Sequence, residues 1–399
     1  MVTQEPTSRM LPKIRRTYVG SALLAFNTAL LTCMLLATIH IGLNVVERCR
    51  GTTPVYKDAF DLSAFTKVDE ATAREIVHEF DVHATGGHES EGIGEYDYQP
   101  WAGFAERPFS GKYLNVEERA GCTTRRTSAP DPERAGVEDF VVWAFGGSTQ
   151  FGFGINDDDT VPSHLQRQLQ ALLPNRRVVV INHGHGWWYS TQEVVHFLTL
   201  LHNDASPQVA IFLDGFNEYY IAWSRREPYY FSSILYDGWE SERQRRRYPA
   251  PRGAWFQLTP SFPTNRIQRF IRPLESAPPP VPPRFEKVAN DPARRLIEVY
   301  MTNRRIAVAA GDALGIQVHF FLQPVSAGWR STPILTEAYD ELILEAAAGP
   351  TSHLVSLHGV LDGLEQAYVD GIHYNEEGAR VLATHMAEQI VKEADHQRR

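Results

Sequence analysis

"EDFVVWAFGGSTQFGFG", residues 138–154, is the stretch on which the fold turns. Its apolar run from Phe140 to Phe145 has the length of a buried strand and is too short for a helix. Gly146 and Gly147 end the run and deliver one serine, Ser148. Without a Cβ, glycine lets the backbone turn sharply, so the stretch reads as a strand whose carboxyl end presents a hydroxyl.

The same pattern repeats downstream. Apolar runs stand at 139–145, 177–182, 208–214 and 317–323, with a weaker one at 353–357. Between them Val161, Leu165, Leu169 and Leu172 recur at helical spacing behind Thr160, a residue suited to cap a helix start. Ser190 with Glu193 reads as a capping box before "VVHFLTLL". Asp291 and Pro292 open a long helix that Gly315 ends, and Asn375 caps the last one. Strands alternating with amphipathic helices predict a mostly parallel sheet covered on both faces, a three-layer α/β/α domain over 138–392 with a tail at 393–399. Residues 219–289, aromatic and then proline-rich, far exceed the ~2–6 residues of an ordinary α/β connection and read as an insertion. Upstream, residues 47–137 are weakly patterned. Asp69 is placed to cap a helix through "EATAREIVHEF", and "YQPWAGFAERPFSGKYLNV" reads as an extended covering segment rather than a core of its own.

Over 399 residues, 43% hydrophobic and 22% charged is the composition of a globular chain able to bury a large core. A net charge of −9 and a single short basic run, "RQRRR" at 243–247, offer no extended phosphate-binding face, so nucleic acid is not an expected partner. The exception to the globular pattern is residues 18–46, an apolar stretch of about 29 residues where ~20 suffice to cross a bilayer. The apolar region of a cleaved signal peptide is only about 7–15 residues, so a retained transmembrane helix is expected. Arg9, Lys13, Arg15 and Arg16 precede it, whereas Arg48 and Arg50, offset partly by Glu47, follow. The positive-inside rule then leaves residues 1–17 in the cytoplasm and everything after residue 50 extracytoplasmic, periplasmic in a bacterium. Cys33 lies in the span. Cys49 and Cys122 would share the oxidising side, where a disulfide between them and two unpaired thiols both fit the sequence.

Ligands of open parallel sheets bind beyond the carboxyl ends of the strands. Four blocks stand there: Gly146-Gly147-Ser148, Asn182-His183-Gly184, Gly215-Phe216-Asn217-Glu218, and "YVDGIHYNEEGARVLA" with Asp370 and His373. In this order they resemble the SGNH hydrolases, the GDSL family of esterases and lipases. The resemblance runs over 138–392 without the insertion and implies a flavodoxin-like SGNH domain. It assigns Ser148 as nucleophile, His373 as base, Asp370 as its acidic partner, and the Ser148 amide, Gly184 and Asn217 as oxyanion donors. Gly147 replaces the Asp of Gly-Asp-Ser and Glu218 replaces the last Asp of the third block, neither a triad nor an oxyanion position in the family. It implies an ester substrate and no cofactor. With the membrane span, the ester is read as an O-acyl group on an envelope glycan and envelope polysaccharide machinery as a partner to expect. Passing the acyl group to a sugar hydroxyl would make the same triad an O-acyltransferase. An idle triad would leave a glycan- or partner-binding module.

Other polar motifs have plainer readings. His183 and His185 alternate as metal ligands can, but no third ligand follows at zinc-like spacing, so no metal is expected and both are placed beside Gly184 as pocket lining. Asp157, Asp158 and Asp159 read as solvated acids favoured by a helix N-terminus. Trp187 and Trp188 cannot both face one core, so one of them is expected against substrate or the insertion.

Overall fold

The computed structural model describes residues 26–28, 32, 60–85, 96–119, 121–129, 139–202, 206–218, 292–330, 340, 342–344, 353–364 and 366–397. The chain divides into two compact units, Met1–Thr53 with Gln244–Pro280 and Pro54–Arg243 with Val281–Arg399. Of the first, only the helical residues 26–28 and 32 are described. The expected span at 18–46 otherwise lies outside the described residues, as do Cys33, Cys49, Asp291 and the insertion at 219–289. Among the described residues no helix is long and apolar enough to cross a membrane.

The second unit is built on an eight-stranded sheet. In chain order its elements are α1 (Glu70–Thr85), a separate antiparallel pair β1 (Tyr96–Gln99) and β2 (Gly103–Glu106), β3 (Phe109–Ser110), β4 (Asn115–Arg119) and β5 (Cys122–Arg125). Then follow β6 (Phe140–Gly146), α2 (Ser148–Phe151), α3 (Val161–Leu172), β7 (Val178–Gly184), α4 (Ser190–Leu201) and β8 (Val209–Asp214). The last are α5 (Pro292–Leu314), β9 (Gln317–Leu322), α6 (Ala327–Arg330), β10 (Leu354–Ser356) and α7 (Glu376–Gln397). The strand order is β10-β9-β8-β6-β7-β5-β4-β3, parallel from β10 to β7 and antiparallel beyond.

The apolar runs become the parallel strands because both their faces are covered. Period-two alternation sends Val142, Ala144, Val180, Ile211 and Leu213 to one face, against α1, α3 and α7. It sends Trp143, Phe145, Phe212 and Phe320 to the other, against α4 and α5. Each Val, Ile, Leu or Phe among them, fully buried, contributes roughly 1.5–3 kcal/mol. Register makes the strand exits level, since Gly146 pairs with Gly184 on β7 and Leu213 on β8, and Asp214 with Leu322 on β9. The chain steps from β6 to β7 through α3 and back past β6 to β8 through α4, on opposite faces. That reversal opens a crevice at the carboxyl ends of β6 and β8.

The local start and stop signals at Asp69, Thr160 and Asn375 form as read: their side-chain oxygens accept from the Thr72, Ser163 and Gly378 amides. Gly315 closes α5 at φ +71°. Four readings change. The covering segment is no mere cover, because β3, β4 and β5 extend the main sheet and β5 joins β7 at Arg125 and Asn182. Such short strands carry too few residues to show a period. The capping box is not made, since Tyr189 is the N-cap of α4 and Glu193 turns into the core. Asp157 is buried rather than solvated. The stretch from 393 is no tail, for α7 runs through it to Gln397.

Candidate active site

Ser148 stands at the carboxyl end of β6 as the first residue of α2. Both glycines before it are required by close approach. A Cβ on Gly146 would meet the Gln150 Cβ at 2.5 Å and the Leu213 carbonyl at 2.8 Å; one on Gly147 would meet the Asn217 Nδ2 at 2.3 Å and the Trp188 carbonyl at 3.0 Å. Gly147, where the family resemblance expects Asp, is therefore the residue that leaves room for the Asn217 amide. The short helix closes at Gly152, in the left-handed region at φ +90°.

Arg125 holds the far end of α2. Its buried guanidinium donates to the carbonyls of Phe151 (2.9 Å), Gly152 and Ile155 (2.6 Å) and pairs with Asp157 at 3.0 Å. Asp157 in turn accepts from the Asn115 amide at 3.2 Å and its side chain at 2.8 Å. Burial raises the Asp157 carboxyl and lowers the Arg125 guanidinium, each opposed by the charge of the other. Sequence reading missed this pair: Arg125 sits on a four-residue strand, and nothing in its spacing announces a partner 32 positions away.

His373 arrives from the loop before α7. Asp370 folds that loop by accepting the Ile372 and His373 amides on Oδ1, each at 2.6 Å, while its Oδ2 lies 2.6 Å from His373 Nδ1. The loop is tied to the exit of β9, where Ser326 Oγ donates to the Gly371 carbonyl and the Tyr374 hydroxyl to that of Pro324. The His373 ring packs against Phe60 and Phe153, at centroid distances of 6.3 and 5.8 Å. Its Nε2 is 2.8 Å from Ser148 Oγ. Burial by itself raises the Asp370 carboxyl, but His373 and the two loop amides outweigh it and hold the group below its ordinary value. A carboxylate facing Nδ1 places the ring proton there and leaves Nε2 as an acceptor for the serine hydroxyl.

The expected oxyanion donors fare differently. The Ser148 amide opens the first turn of α2, where helix geometry leaves it without an intrahelical partner. Asn217 Nδ2 lies beside Gly147, one of its hydrogens given to the Trp188 carbonyl at 2.6 Å and the other unspent. The Gly184 amide, by contrast, donates to Asn182 Oδ1 at 2.9 Å, so it is not a free donor. Gly184 is glycine for another reason: a Cβ would meet the Phe151 amide nitrogen at 2.5 Å. Asn182 Nδ2 meanwhile reaches the Gln150 carbonyl at 3.2 Å. Glu218 accepts from the Ser190 and Gly215 amides at 2.5 and 3.1 Å and so fixes the loop that carries Asn217.

The paired residues of the second block also separate. His183 does not line the crevice but is buried on the aromatic face, stacked on Phe145 at 5.2 Å. His185 is buried against Trp188 with Nδ1 2.6 Å from Glu106. Trp188 is 1% exposed, whereas Trp187 is 37% exposed and sits at φ +66°, a left-handed conformation costing a bulky residue of order 1–3 kcal/mol.

No family model and no curated protein matches the chain. Solved structures do. A lipolytic G-D-S-L family protein of Veillonella parvula is 11% identical, with a TM-score of 0.35 over 63% of this chain and 97% of that one. A psychrotrophic esterase from Pseudoalteromonas sp. is 14% identical, with a TM-score of 0.34 over 64% and 100%. A GDSL-like lipase of Bacteroides thetaiotaomicron is 11% identical, with a TM-score of 0.33 over 65% and 92%. At such values the likeness adds nothing to what the strand order and the distances at Ser148 carry.

Proposed function

We propose that the chain is an SGNH-type serine hydrolase that cleaves esters through an acyl-enzyme on Ser148. The observation that carries this is the continuous relay from Ser148 Oγ to His373 Nε2 at 2.8 Å and from His373 Nδ1 to Asp370 at 2.6 Å, standing at a strand exit. A serine hydroxyl is a poor nucleophile until an imidazole takes its proton, and the carboxylate then stabilises the imidazolium that forms. As Ser148 Oγ attacks the ester carbonyl, His373 accepts the proton and returns it to the leaving alcohol; water, deprotonated by the same ring, then releases the acid. The Ser148 amide and Asn217 Nδ2 meet the developing negative charge, with Gly184 supporting α2 from behind.

The finer reading is an O-acyl group on an envelope glycan, with the enzyme held at the membrane by residues 18–46 and its domain extracytoplasmic. It is supported by the length of that apolar stretch, by the basic residues before it, and by Trp187, an indole held half exposed at the loop that Asn217 contacts. Full-length protein in detergent is the material for the test. A fluorophosphonate probe is expected to label the wild type at Ser148 and to spare Ser148→Ala. Labelling of a well-folded Ser148→Ala chain, or p-nitrophenyl acetate hydrolysis at equal rates by both, removes Ser148 from the chemistry.

A further inference from the structure

Away from the serine, the aromatic face of the sheet holds a second cluster of reactive side chains. Cys122 reaches it from β5, His183 from β7 and His196 from α4, with one donor atom of each within 4.8 Å of the others. They are 5%, 4% and 2% exposed. Both ring nitrogens of His183 and Nε2 of His196 have no hydrogen-bond partner, and neither has Nε2 of His185, whose ring lies 6.0 Å from that of His196. An unmet buried polar group costs about 1–3 kcal/mol, and one donor atom from each of three residues meeting within 4.8 Å suits a single occupant.

We infer that Cys122, His183 and His196 bind a zinc ion. One thiolate with two imidazoles is a donor set suited to zinc. Binding forms the S–Zn bond as the Cys122 S–H bond, which donates to the Arg119 carbonyl at 3.0 Å, breaks and its proton leaves to solvent. The site then carries one net positive charge from two on the metal and one negative on sulfur. Beside the cluster, Glu106 lies with its carboxylate 2.6 Å from His185 Nδ1. A cleft of about 190 Å³ counts Glu106, Cys122 and Thr123 in its lining. The bound ion ties β5 to β7 and α4, and β5 carries Arg125, the residue that holds α2.

The test uses the full-length chain, stripped with chelator and titrated with cobalt(II), whose thiolate complexes absorb in the near ultraviolet. One equivalent of cobalt with that band is expected, displaced by zinc. Cys122→Ser should abolish the band. If Cys122→Ser fails to fold, His183→Gln serves, with the thiol retained and stoichiometric binding lost. A wild type that shows no charge-transfer band, a band that survives Cys122→Ser in folded protein, or a Cys49–Cys122 disulfide found by mass spectrometry overturns the site.

Discussion

The two faces of the sheet are made by the same strands and solve opposite problems. On the aliphatic face, between α1, α3 and α7, one buried pair is matched: Arg125 has Asp157 and three carbonyls, and Asp157 has Asn115 as well. On the aromatic face, below α4 and α5, Glu193 and Asp214 are both wholly buried beside each other, and His183 and His196 have unspent nitrogens. Matched groups stabilise and position; unmatched ones cost stability and are held for a ligand or a proton. The rim that carries Ser148 draws on the first face, since Arg125 and Asn182 grip the helix on which the serine stands.

Removing the rim chemistry should separate it most sharply from both faces. Ser148→Ala is expected to lower the turnover of p-nitrophenyl acetate by roughly 10⁴–10⁶-fold, with an unchanged melting temperature. A large loss of stability in that variant would show that the serine belongs to the core. Arg125→Met attacks the matched face and strands Asp157, so unfolding in urea should fall by about 3–5 kcal/mol and activity with it as α2 loosens. A variant as stable as the parent would break the contrast drawn here. Asn217→Ala is expected to cost turnover about 10²–10³-fold with little change in KM, because its amide acts on the transition state; a KM effect alone would move Asn217 from oxyanion donor to substrate wall.

The smallest effects are in the pH dependence of stability, where two buried groups, one from each face, should differ in sign. His164, on α3, is pulled down to about 3 by burial and by Lys67 and Arg167. A histidine lowered on folding supports stability above its unfolded value near 6.5 and loses that support as pH falls toward 3, so His164→Gln should flatten the acid side of a melting-temperature profile. Burial raises Glu193 and Asp214 well above the ordinary carboxyl range, with Glu193 pushed further by the charge of Asp214 and Asp214 by that of Glu218. Stability from that pair is present below about pH 4 and lost as pH rises through the raised values, so Glu193→Gln should stabilise the protein toward alkaline pH. If both variants shift the same limb, His164 and Glu193 do not titrate in opposite senses.

The parallel sheet, the turn that presents Ser148, the caps at Asp69, Thr160 and Asn375, and the Asp370–His373 loop were legible from residues alone. Each is encoded within a few positions by a period, a glycine or a side chain that reaches its own backbone. Tyr189 replaced the expected cap at Ser190 because Glu193 is drawn into the core beside Asp214, a residue its own sequence neighbourhood does not contain. Gly184 lost its place as a donor because Asn182 already takes its amide, and Gly147 stands where an Asp was expected because Asn217 passes within 2.3 Å of where a Cβ would lie. The Arg125–Asp157 pair and the Cys122–His183–His196 cluster were invisible for the same reason. They depend on β5 adding itself to the sheet at Asn182, and short strands without a period give no sign of the register they will take. Local order fixed where each functional block sits along the chain; only the register of distant strands fixed which blocks touch.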